Sequence, residues 1–183
     1  MVNDVDLPGW VAWFAMEVRE AAPDEHDLVG RITADAYREF FDASDRDPDG
    51  HYLQKIADVA ERAGRTVILV AVVDDLPIGS LTLELGTRVD ADADPLEAHR
   101  AHIRMLGVEP AARGHGAGRA LMEAAQARAI AAGKTEMTLN TTRLMTAAQA
   151  MYVSMGDERL PDETLPDGFV LLTYRKVLGA PSA

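Results

Sequence analysis

The 183-residue chain contains no cysteine. Disulfide scaffolds, cysteine-ligated zinc, iron–sulfur clusters and cysteine nucleophiles are therefore excluded. Basic side chains are scarce as well: 18 lysines and arginines stand against 30 aspartates and glutamates, a net charge of −12. Duplex nucleic acid and anionic membranes both demand a cationic footprint, so neither is expected as the main partner. No stretch approaches the roughly 20 apolar residues of a membrane span. The opening MVNDVDLPGW carries acids where a secretory signal carries bases, and a cytoplasmic protein is expected.

What is present suits one core. Apolar residues make up 48% and charged residues 26%, a balance that argues against disorder. Neither an internal repeat nor a low-complexity linker interrupts the chain. The expected organisation is a tail over residues 1–12, one domain over 13–178, and a short tail over 179–183. Trp10 and Trp13 near the start have no role that the sequence decides.

The patterning predicts a mixed α/β order. A first strand is expected over Trp13–Glu20. Ala22-Pro23-Asp24-Glu25 reads as a helix start, and Leu28, Ile32, Ala36 and Phe40 recur every four residues as one helical face ending near Phe41. The acidic stretch Asp42–Gly50 reads as a loop, and a second helix is expected over Tyr52–Ala63. The run TVILVAVV, Thr66–Val73, has the continuous β-branched character of a strand buried on both faces. A turn over Asp74–Pro77 and a strand over Ile78–Leu85 complete an antiparallel hairpin. Further strands are expected over His102–Val108, Thr135–Asn140 and Phe169–Val177. Helices are expected over Ala117–Ala132, with Ala117, Ala120, Leu121, Ala124, Ala127 and Ala131 inward, and over Leu144–Met155.

The chemistry concentrates between the fourth strand and the helix after it, in MLGVEPAARGHGAGRALM. Glycines there let successive N–H groups turn toward one point, and the helix start adds its partial positive charge. Such a turn binds phosphate or pyrophosphate. Arg113 and Arg119 supply local positive charge. A dinucleotide fingerprint does not fit, because the sixth residue from Gly114 is Arg119 and from Gly116 is Leu121. The triplet Gly133-Lys134-Thr135 lacks the first P-loop glycine, since Arg128 holds that place. The pattern R-x-x-G-x-G between strand and helix fits as it stands. His99 and His102 form an H-x-x-H pair, but three residues along a strand reverse the face, which argues against a shared metal.

Two stretches in order, IRMLGVEPAARGHGAGRALM and LNTTRLMTAAQAMYVSMG, resemble the acyl-CoA signature and the second conserved region of the GNAT superfamily of N-acetyltransferases. The resemblance runs from about Ile103 to Gly156. It implies an α+β domain with a mixed, mostly antiparallel sheet flanked by helices and splayed at the acyl-CoA strand. It implies acetyl-CoA as co-substrate, with no metal: backbone of Leu106 and Val108 on the pantetheine arm, and Arg113, Gly114, His115, Gly116, Ala117, Gly118 and Arg119 at the pyrophosphate. It further implies that Asn140 orients the cofactor, that Tyr152 protonates the departing thiolate, and that a homodimer is common. The implied reaction is direct transfer of acetyl to a primary amine of a small molecule or peptide. The absence of cysteine and of a G-x-S-x-G elbow agrees with a direct route. The general base is left between His102 and Glu84, because a histidine stands where such motifs often carry a carboxylate. The acidic loops Asp42–Asp49 and Val89–Glu97 favour a cationic acceptor. Two other readings stay open: a CoA-binding domain without catalysis, and a nucleotide-dependent enzyme using the glycine turn.

Overall fold

The computed structural model describes residues 16–44, 47–90 and 93–179. Strand β1, Glu17–Glu20, leads through a single 3-10 turn at Pro23–Glu25 into helix α1, His26–Asp42. Helices α2, His51–Ala57, and α3, Val59–Ala63, follow. Then come β2, Val67–Val73, β3, Leu76–Glu84, and β4, Arg100–Val108. Helix α4, Ala117–Ala131, β5, Glu136–Thr141, and α5, Thr146–Ser154, form the next unit. The short strands β6, Glu158–Arg159, and β7, Glu163–Thr164, precede the last strand β8, Val170–Val177.

One sheet runs in the order β1-β2-β3-β4-β5-β8-β6, with β7 also on β8. Only β4 and β5 are parallel; the other pairs are antiparallel. The expected mixed, mostly antiparallel sheet flanked by helices is the one present. β2 shows why its sequence is a continuous apolar run. Leu69, Ala71 and Val73 pack in the cluster of α4, while Ile68, Val70 and Val72 pack with Val29 of α1 and Val59 of α3. The hairpin turn at Asp74 and Asp75 has φ of 49° and 64°, the left-handed pair that matches strand twist.

Several boundaries and faces differ from the sequence reading. Of the first strand, residues 13–15 lie outside the described residues, as do Trp10 and Trp13. The helix expected over 52–63 is two helices, broken at Asp58, whose side chain accepts the Glu61 N–H at 3.0 Å and so caps α3. In α1 the buried residues are Val29, Gly30, Thr33, Ala34 and Ala36, whereas Leu28, Ile32 and Phe40 are only half-buried. The cause is close approach. A Cβ on Gly30 would meet the Ala57 carbonyl oxygen at 2.0 Å, and one on Gly107 of β4 would meet Ala36 Cβ at 3.1 Å. Only small side chains fit there, so the large ones move to the flanks. In α4, Ala127 and Ala131 are exposed, and the inward stripe is Ala117, Leu121, Met122, Ala125 and Ala129. Strands β6 and β7 had no counterpart in the sequence reading.

Candidate active site

The site begins where the parallel pair ends. β4 and β5 are in register from Arg100–Glu136 to Ile103–Leu139 and no further. From Arg104 onward β4 keeps only its β3 partner, and β5 keeps only β8. Between the pairs Ser80–Gly107 and Thr82–Arg104, one residue of β3, Leu81, stands opposite two of β4, Met105 and Leu106, so β4 carries a bulge. Met105 sits in it at φ 54°, a conformation that bulky residues seldom adopt. The bulge turns β4 away from β5 and leaves Leu106 and Val108 without a strand on that side. The Val108 carbonyl accepts from Arg113 Nε at 3.2 Å.

The glycine turn follows. After a 3-10 turn at Pro110–Ala112, Gly114 and Gly116 have φ of 81° and 91°, which favours glycine. A Cβ on either would meet nothing within 4 Å, so open space lies beside both α-carbons. Residues 113–116 are exposed, His115 among them, while Ala117 is buried. Ala120 N–H donates to the Gly116 carbonyl, so the N–H groups of the first α4 turn precede the helical ladder. Gly118 serves packing instead: its Cβ would meet Met151 Sδ of α5 at 3.3 Å. The side chains of Arg113 and Arg119, expected at the pyrophosphate, both have protein partners. Arg113 pairs with Glu39 at 2.5 Å and donates to the Ala36 carbonyl, strapping the turn to α1. Arg119 donates to Ser154 Oγ at 2.6 Å, joining α4 to α5. An exposed glycine turn at a helix N-terminus and an unpaired strand edge fit the pyrophosphate and pantetheine of an acyl-CoA.

A cavity of about 800 Å³ opens along the split. Tyr37, Phe40 and Phe41 of α1 and Tyr52 of α2 line one side; Phe41 and Tyr52 rings lie 5.4 Å apart. Leu165, Phe169 and Leu171 line another, and His102, Arg104 and Met105 come from β4. Charged groups are balanced. Burial opposes ionisation of Asp90, but hydrogen bonds from Lys55 and Arg104 outweigh it and hold the carboxyl below its usual range. Arg88, Arg104 and Arg143 therefore offset Asp90, Glu163 and Asp167 on the lining.

His102 lies on this lining at 7% exposure, with Nδ1 2.8 Å from Thr138 Oγ1. Burial, reinforced by the charges of Arg104, Arg88 and Arg100, pushes it down to about 3. It is neutral at neutral pH. Glu84, the other expected base, is fully buried one strand away, opposite His102 in the register. Its Oε1 accepts the Val89 N–H at 2.7 Å, and Oε2 lies 2.9 Å from Arg88 Nε. Glu84 does not line the cavity; it clamps the loop that carries Arg88 and Asp90 to the sheet.

Tyr152 of α5 is 4% exposed and packs on Tyr174, ring centroids 5.4 Å apart. Burial, then the neighbouring Asp157 and Tyr174, raises its hydroxyl above the ordinary tyrosine range, so it holds its proton. No hydrogen bond to the hydroxyl occurs among the described residues. Asn140, on β5 past the split, lines the cavity and donates to Thr173 Oγ1 at 2.9 Å. The aromatic wall, Arg88, Asp90, Arg104 and the segment around Phe169 were not singled out by the sequence reading. Of these, Asp90 lay within a loop read as acidic surface, and nothing local marks the others as neighbours.

A sheet opened at its parallel pair, with a glycine turn past the open edge and a cavity along it, is the layout of a transferase that brings two substrates together. The profile described as the acetyltransferase (GNAT) family matches residues 26–157. The chain belongs to that family and is an acyltransferase. Solved structures share the fold. A GNAT-family acetyltransferase from Staphylococcus aureus Mu50 is 14% identical, with a TM-score of 0.68 over 90% of this chain and 100% of that one. YncA from Salmonella typhimurium, solved with its cofactor acetyl-CoA, is 17% identical, with a TM-score of 0.64 over 92% and 97%. PaiA N-acetyltransferase from Thermoplasma acidophilum, in complex with coenzyme A, is 13% identical, with a TM-score of 0.64 over 88% and 99%. No curated protein matches the sequence significantly. Among the described residues no helix is long and apolar enough to cross a membrane.

Proposed function

We propose that the chain transfers acetyl from acetyl-CoA to a primary amine of a small molecule with an apolar body. The carrying observation is the split after Ile103 and Leu139, which joins an unpaired β4 edge, an open glycine turn and a part-aromatic cavity. Leu106 and Val108 offer backbone to the pantetheine, although the Val108 carbonyl already has Arg113 as donor. The amides from Gly114 to Gly118 face the pyrophosphate. When bound, acetyl-CoA supplies an activated carbonyl and a thiolate leaving group. The cavity's aromatic wall orients the acceptor, and its balanced charges do not select for a cation. That departs from the cationic acceptor favoured by the acidic loops.

His102, neutral and on the cavity wall, acts as a hydrogen-bond acceptor for the amine N–H rather than as a store for an ammonium proton. The amine must therefore enter in its neutral form. Tyr152 stays protonated and donates a hydrogen bond to the departing sulfur, and the proton that the amine nitrogen sheds on becoming an amide ends on that sulfur, so coenzyme A leaves as the thiol and Tyr152 remains a neutral hydroxyl. The test is incubation with acetyl-CoA and a panel of amines, following free thiol. Sustained thiol release with an apolar amine is the expected outcome. Tight CoA binding with silence across the panel would support the second reading, a CoA-binding domain without transfer. The low proton affinity of His102 and the engagement of Glu84 favour that rival.

A further inference from the structure

We propose that Thr138 is a positioning residue that fixes His102 in the tautomer protonated at Nδ1, so that Nε2 presents a lone pair to the acceptor cavity. The purpose of that lone pair rests on the reading of the cavity as the amine site.

Thr138 stands opposite His102 in the parallel register, one rung before the sheet splits. Both side chains are buried, at 8% and 7% exposure. Thr138 Oγ1 makes two contacts: His102 Nδ1 at 2.8 Å and the Ala101 carbonyl at 3.4 Å. The hydroxyl has one proton to give. If it goes to the imidazole, the Ala101 contact is no longer a hydrogen bond. Nε2 must then carry a proton, and that N–H faces the cavity without a protein acceptor, because His102 makes no other hydrogen bond among the described residues. If the hydroxyl donates to Ala101, the imidazole N–H donates to Oγ1 and both contacts are satisfied. The atom left over is then a lone pair on Nε2. The second arrangement keeps both protein contacts of Thr138 Oγ1, and the first gives one of them up.

The electrostatics point the same way. The guanidiniums of Arg104 and Arg88 share the cavity lining with His102 and act on its ring. Positive charge there favours a lone pair over an N–H dipole. With the ring held at Nδ1, Nε2 offers a fixed acceptor to an amine N–H, as a ligating histidine is aimed by the partner on its other nitrogen. Without Thr138, the ring is free to exchange tautomers or flip.

The test is the two-bond 1H–15N spectrum of protein labelled with 15N-histidine, at about pH 7, where each ring nitrogen reports its own protonation. His102→Gln identifies the resonances. The expected wild-type signature is a protonated Nδ1 and a bare Nε2. Thr138→Ser keeps it, and Thr138→Val moves the ring toward the Nε2-protonated form. In turnover, Thr138→Val lowers kcat by roughly tenfold with KM for acetyl-CoA little changed, and Thr138→Ser restores most of it. A protonated Nε2 in the wild type overturns the proposal, as does a tautomer that Thr138→Val leaves unmoved. If the valine variant does not fold, the wild-type and serine spectra decide. The spectrum needs no substrate, so failure to acetylate any amine overturns the functional reading separately.

Discussion

His102 is a histidine whose surroundings have removed its usual role as a proton store. Its conjugate acid, held near 3 by burial and three arginines, is absent throughout the range where an amine could react. The pH profile should therefore carry no histidine inflection between about pH 5 and 8. kcat/KM should rise with pH as the acceptor ammonium loses its proton, and an amine of lower pKa should shift the whole curve to lower pH. An inflection near 6.5 that stays fixed across amines and vanishes in His102→Gln would sink the assignment. Tyr152 is the complementary case, a hydroxyl whose proton burial retains. Tyr152→Phe should lower turnover by about 10²-fold, the low end of general-acid effects, with CoA affinity within roughly twofold. Undiminished turnover would remove Tyr152 from proton transfer. At this scale the sequence singled out His102, Asn140 and Tyr152, of which His102 and Asn140 line the cavity. It gave no sign that Glu84 is consumed by Val89 and Arg88, or that Thr138 faces His102, because both depend on strand register.

Elements were legible by period, and their faces were not. The spacing of Leu28, Ile32 and Phe40 marked α1 as a helix, but the face on the sheet is chosen by how closely backbones approach. Gly30 lies where any Cβ would overlap the Ala57 carbonyl. Gly30→Ala should therefore cost about 2–3 kcal/mol by overpacking, despite alanine's better helix propensity. A denaturant midpoint raised by this substitution would show that α1 and α2 can separate without loss. The corner before α1 carries a second test. Glu25 accepts two hydrogen bonds from Arg19 at 2.7 Å and one from the Ala22 N–H at 2.8 Å. The Arg19 hydrogen bonds lead in lowering its carboxyl to about 2 from 4.5. A depressed folded value means stability is present above about 4.5 and is lost as pH falls through about 2. Arg19 is one-third exposed, so solvent screening leaves about 1 kcal/mol of this in practice. Glu25→Gln should lower stability by about that much at pH 7 and flatten the acid limb in that window. An unchanged acid limb would show that the pair is not held in solution.

At the scale of the molecule, the order of strands and helices could be read because most turns announce themselves in glycine, proline or aspartate, the 142–145 connection of β5 to α5 being an exception. The cavity could not. Its walls come from the segments 37–44, 88–90, 102–105, 140–145 and 163–171 and from Tyr52, and the sheet order β4-β5-β8 brings the strand-borne ones together. Strands β6 and β7, each paired with β8, are too short for a period to show, yet they lead into the segment that closes one side. The proposed cofactor side, by contrast, is contiguous from Leu106 to Arg119, so a single motif spans it. That contiguity makes a ligand comparison decisive. Coenzyme A, NAD and ATP all bring linked phosphates to the glycine turn, but only coenzyme A brings a pantetheine arm to the unpaired β4 edge. At a hundredfold excess over Kd, a ligand specific to the native state adds about 2.7 kcal/mol. For a domain of this size that raises Tm by about 5–11 °C. Coenzyme A should produce such a shift, and NAD and ATP at equal concentration should produce much less. Gly116→Glu, which sets bulk and negative charge in the open space beside that α-carbon, should abolish the shift relative to its own unliganded Tm. Equal shifts from ATP and coenzyme A would mean that the turn binds alone and the split sheet contributes nothing. A coenzyme A shift that survives Gly116→Glu would place the phosphates elsewhere.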